Sequence, residues 1–208
     1  MKTTKIIKIA GLAILTLFSA VSCSEYSVLD NLLRATNNIN SVSESYATET
    51  AVGTVEELAF SDINYEVMEL SESTNDLILF NELRLELIGL HEQIIEQRDI
   101  IRDYRDSIRN SIETIRENQY MILDDDKTII TEHIQNLKSY RDGLLETRGL
   151  AYLRIKELRG SYTRENLPDI MIVFGEVKEV LEYRLETLKF AVLDLEIIDV
   201  LLLEYLES

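Results

Sequence analysis

The chain has 208 residues with one Pro, seven Gly and no Trp, and its 38 acidic against 21 basic side chains give a formal charge of −17. So few helix breakers favour long uninterrupted helices, and the sign of the charge opposes binding to nucleic acid or anionic lipid headgroups, both of which need clustered cations. Cys23 is the one cysteine, so an intramolecular disulfide and a thiolate metal cluster are excluded.

At the start of the chain, Lys2, Lys5 and Lys8 precede an apolar run from Ile9 to Val21, too short to span a bilayer but of the length of a secretory signal. The small residues Ala20 and Ser22 place a cut before Cys23. This segment resembles bacterial lipoprotein precursors, which usually carry Leu where this chain has Ala20. The resemblance covers residues 1–23. It implies a signal peptide over 1–22, a lipid on Cys23 and a lipid-anchored place in the bacterial cell envelope. With Ser24 after the cysteine, it favours the outer membrane or cell surface over the inner membrane. An ordinary secretory cut at the same bond is the alternative, and it would leave a free thiol.

Residues 23–53 turn polar, and the run from Thr36 to Thr50 is so rich in Ser, Thr and Asn that a disordered tether is expected, with a short apolar helical face at Val28, Leu29, Leu32 and Leu33. Residues 54–208 then read as one helical domain. Thr54 and Glu57 make a capping box for a short helix at 55–70, where Val55, Leu58, Ala59, Ile63, Val67 and Leu70 keep helical spacing. The first long helix, about 75–120, carries the row Phe80, Leu83, Leu87, Leu90, Ile94, Gln97, Ile101, Tyr104, Ile108, Ser111, Ile115. Steps of three and four describe one stripe of a helix lying along another.

Asp124, Asp125 and Asp126 open a second helix, about 125–159, with Ile130, Leu137, Leu144, Ala151 and Leu158 every seven residues and Gly160 to close it. Pro168 sits in the first turn of a third, about 168–206, whose seam runs Ile170, Phe174, Val177, Leu181, Arg184, Leu188, Ala191, Leu195, Ile198, Leu202, Tyr205. The expected fold is all-α: an antiparallel three-helix bundle of long coiled-coil-like helices with a shorter additional N-terminal helix.

Two features stand out against this frame. Gln97, Arg148 and Arg184 break the seams, and antiparallel register brings them to one level, which predicts a structural polar layer fixing register. Phe190, Leu193, Ile197, Val200, Leu201 and Leu203 lie off the third seam and need cover. A wide core face touching two neighbours provides it, or else a partner or self-association surface.

His91 and His133 fall far apart along the rods, and Asp124 to Asp126 lack the spaced ligands and glycine of a calcium loop, so neither a metal site nor a cofactor is expected. No nucleophile and base set, phosphate loop or paired-carboxylate pocket is present, and catalysis is not expected. The function expected is a membrane-anchored, acidic, non-enzymatic protein-binding or adhesion module. The alternative is a self-associating structural spacer that organises the envelope.

Overall fold

The computed structural model describes residues 27–45, 74–151, 153, 154 and 167–207. They form four helices, and no strand occurs among them: α1 over residues 27–45, α2 over Thr74–Asn118, α3 over Asp124–Glu146 and α4 over Leu167–Glu207. The leader, Cys23, the helix expected at 55–70, Leu158 and Gly160 lie outside the described residues.

Helix α4 is the element on which α2 and α3 both pack. Every position of its seam from Ile170 to Leu202 is buried, and Tyr205 is half-buried. On α2 the seam alternates from Phe80 to Ile108 between buried residues (Phe80, Leu87, Ile94, Ile101, Ile108) and half-buried ones (Leu83, Leu90, Gln97, Tyr104), and Ser111 and Ile115 after it are both buried. Lys178 pairs with Glu86 and Asp199 with Ser107, each across a sequence separation of 92, so α2 and α4 run in the same direction. Phe80 stacks on Phe174 with ring centroids 5.6 Å apart. Between α3 and α4 the separation falls steadily, from 79 for Asp126 and Tyr205 through 61 for His133 and Asp194 to 37 for Thr147 and Arg184, which is the signature of antiparallel rods.

Two corrections concern the middle of the chain and its start. The second long helix does not run on to 159: α3 ends at Glu146, a turn covers 147–149, and residues 150, 151, 153 and 154 are helical again. Gly149 takes φ +72, and the amides of Thr147 and Arg148 turn back to the carbonyls of Gly143 and Leu145. A left-handed glycine stops a helix as Gly160 was expected to.

Residues 27–45 are also not the disordered tether that composition suggests: they are helical and bury Leu29, Leu32, Ala35, Thr36, Ile39, Asn40 and Ser43. The hydroxyls of Thr36, Ser43 and Ser45 bond back to carbonyls three residues earlier, so polar side chains that would solvate a coil bring their own acceptors into the interface. Asp30 pairs with Arg116 near the end of α2. The burial then continues through Ser43, so α1 runs from that end back along the bundle.

The turn after α2 has the hydrogen bonds of a Schellman motif. The amide of Tyr120 reaches Ile115 O at 3.0 Å, that of Gln119 reaches Arg116 O at 3.2 Å, and Gln119 itself takes φ 56. A side chain in that conformation carries a steric cost that glycine avoids. Gln119→Gly is therefore expected to raise unfolding stability by about 0.5–1 kcal/mol, and Gly149→Ala to lower it by about 1–2 kcal/mol, both read from urea midpoints at unchanged slope.

Candidate functional site

The stretch of α4 from Phe190 to Leu203 presents two faces with different jobs. Leu195, Ile198 and Leu202 point into the core, whereas Phe190, Leu193, Ile197, Val200 and Leu203 are 40–53% exposed along the outer side. Their steps of three and four make one apolar stripe about 20 Å long at 1.5 Å per residue. Leu201, expected with them, is instead half-buried and packed on the core. The core therefore does not cover this face, although Leu29 and Leu32 of α1 do enter the core and Val28 and Leu33 pack against it.

Behind the stripe α4 is pinned to both neighbours. Asp194, 8% exposed, meets His133 Nδ1 of α3 at 2.9 Å, and Asp199 accepts a 2.7 Å hydrogen bond from Ser107 of α2. At the edge, Tyr140 stacks on Phe190 with centroids 6.2 Å apart. These pairs were not foreseen. Asp194 and Asp199 read only as charges interrupting an apolar run, but Asp194 stands three after Ala191 and four before Ile198, and Asp199 four after Leu195 and three before Leu202, and that helical spacing was the available signal. Glu196 and Glu204 face water.

The polar seam residues separate in the structure. Arg184 is 1% exposed, Gln97 is half-buried and Arg148 is exposed, so one buried layer of three does not form. The turn after Glu146 carries Arg148 off the seam row. Arg184 donates from Nη1 to Leu144 O at 2.8 Å and to Thr147 Oγ1 at 2.9 Å. A buried guanidinium thus closes the carbonyl end of α3, where the helix dipole favours a cation. Its aliphatic stem fills the seam, so Arg184→Met is expected to stay within about 1 kcal/mol of the parent in urea unfolding. Arg184→Ala, which loses the stem as well and leaves a cavity in the seam, is expected to lose about 2–4 kcal/mol.

At the other end of α3, Leu123 precedes the helix with no side-chain cap, and the three aspartates act through the dipole and through partners. Asp124 binds Lys127 at 3.0 Å, Asp126 accepts from the Tyr205 hydroxyl, and that oxygen in turn accepts the Leu123 amide at 2.9 Å. Among the described residues no group of three or more His, Cys, Asp or Glu is placed to hold a metal ion, and no helix is long and apolar enough to cross a membrane.

Three phenols beside carboxylates are held above their ordinary 10.0. Burial is the main cause for each. The charges of Glu196 and Asp199 add to it at Tyr104, the charge and hydrogen bond of Asp194 at Tyr140, and the hydrogen bond to Asp126 at Tyr205. The folded chain keeps protons that the unfolded chain releases. This stabilisation is complete below the unfolded pKa near 10 and is lost as pH rises through the folded values. Melting temperature is expected to stay level to about pH 9.5 and to fall above pH 10, with a shallower fall in Tyr140→Phe and Tyr205→Phe.

Comparison with protein-family models, with curated proteins and with solved structures gives no match, so the reading of this chain rests on its own residues.

Proposed function

We propose that this chain is a lipid-anchored protein of the bacterial envelope whose acidic helical body acts as a non-enzymatic protein-binding module. The finer architecture belongs to the same proposal: an up-down-up antiparallel bundle of three long helices, α2, α3 with its continuation, and α4, with α1 as the shorter docked helix. The same-direction pairing of α2 with α4 and the opposite pairing of α3 with α4 support it.

The observation that carries the binding role is the outer stripe of α4. Five large apolar side chains are about half exposed along one face of a helix that Asp194 and Asp199 tie to its neighbours, a ridge with helical spacing. Five such side chains in register on one helix face of a strongly acidic chain mark a contact surface. Self-association fits less well. Pairing two copies brings strongly acidic bodies together.

The anchoring half of the proposal rests on Lys2, Lys5, Lys8, the apolar run and Cys23. Mass spectrometry of the mature N-terminus is expected to find acylated Cys23, and Cys23→Ser to move the protein from the detergent phase to the aqueous phase. Capture from envelope or host extracts with the full chain is expected to yield a protein that Leu193→Glu and Ile197→Glu release, with melting temperatures unchanged because both sites are exposed. A partner retained by both variants moves the binding surface elsewhere.

A further inference from the structure

The turn between α2 and α3 is an unusual place to display large apolar side chains. Ile122 is 4% exposed and belongs to the core, while Tyr120, Met121 and Leu123 on either side of it face solvent, the latter two each 66% exposed. The loop is ordered at both ends. The Schellman hydrogen bonds hold Tyr120 to the end of α2, and the Tyr205 hydroxyl holds the Leu123 amide. The apolar tip is therefore a fixed projection with Ile122 as its root.

The start of α1 lies at this same end. Asp30, in the first turn of α1, pairs with Arg116, four residues before Tyr120. Three residues separate Cys23 from Ser27, the first residue of α1, a span of at most ~14 Å. A lipid on Cys23 thus enters its bilayer close to Tyr120, Met121 and Leu123. We propose that this tip is a second membrane contact: Tyr120, Met121 and Leu123 dip into the interfacial zone of the bilayer that holds the Cys23 lipid, so the bundle stands upright on the membrane. The inference rests on the lipid-anchor reading of Cys23.

The chemistry selects the lipid. A phenol with two flexible apolar side chains suits the headgroup and acyl boundary, whereas Asp124, Asp125 and Asp126 directly behind them stay in water and limit the depth. Their charge disfavours an anionic surface, so the partner is a zwitterionic phosphatidylcholine or phosphatidylethanolamine face. A protein partner at the tip is the competing occupant.

The test uses the full chain purified from cells that process it, with Met121→Cys labelled by an environment-sensitive fluorophore and Leu85→Cys as control. Leu85 is also exposed, but it lies roughly 50 Å away along the rod. In phosphatidylcholine vesicles the label at 121 is expected to shift to the blue and to be quenched about twofold or more by lipids spin-labelled near the headgroup, while the label at 85 stays water-like. Phosphatidylglycerol vesicles are expected to weaken the effect. Vesicle-bound protein with position 121 as water-like as position 85 overturns the tip contact and leaves the anchor standing. A chain that fails to float with vesicles and takes label at an unblocked Cys23 overturns the anchor, and the tip contact with it.

Discussion

The interlock of side chains along α4 is the constraint on which the other elements depend. From Ile170 to Leu202 the helix buries a residue at every third or fourth position, and α2 and α3 lie against that ridge in opposite directions. Rods packed along such a seam leave long flanks and ends facing solvent. The arrangement also explains the tolerance for a buried arginine. Arg184 enters the seam at the level where α3 stops, and the carbonyl of Leu144 and the hydroxyl of Thr147 meet its guanidinium there.

Polar groups supply what apolar packing lacks, a preference for one register. Seam residues spaced by sevens can slide by a heptad at modest cost, but Asp194 has its imidazole, Asp199 its serine and Asp126 its tyrosine at single settings. A slip strands each of them without its partner, and an unpaired buried carboxylate is expensive. Placed at the back of α4, these pairs also fix the orientation of the stripe on its front.

Charge and apolar surface divide the labour outside the core. The excess of acidic side chains gives the chain a formal charge of −17, and two groups of exposed apolar side chains, the α4 stripe and the tip at Tyr120 to Leu123, sit at different places on the surface. The helix over residues 27–45 connects them to the proposed anchor. It docks beside Arg116, so its first turn lies at the end of the bundle that carries the turn between α2 and α3.

The seams of α2 and α4 and the sevens of α3 were legible in the sequence, because the rotation per residue of a helix is local and converts spacing directly into a shared face. Composition alone also settled the absence of an intramolecular disulfide and the excess of negative charge. Other decisions required the packed molecule. Whether Thr36, Asn40 and Ser43 belong to a coil or to a buried helix depends on a neighbour that accepts their apolar companions Leu32, Ala35 and Ile39. Whether Asp194 points inward and Glu196 outward depends on where α3 and α2 lie. The same holds for Arg148, carried off its row by the turn at Gly149, and for Leu201, drawn half into the core. Spacing defines a face, but only the neighbouring elements determine how wide that face is, and the width separates a buried side chain from one left for a partner.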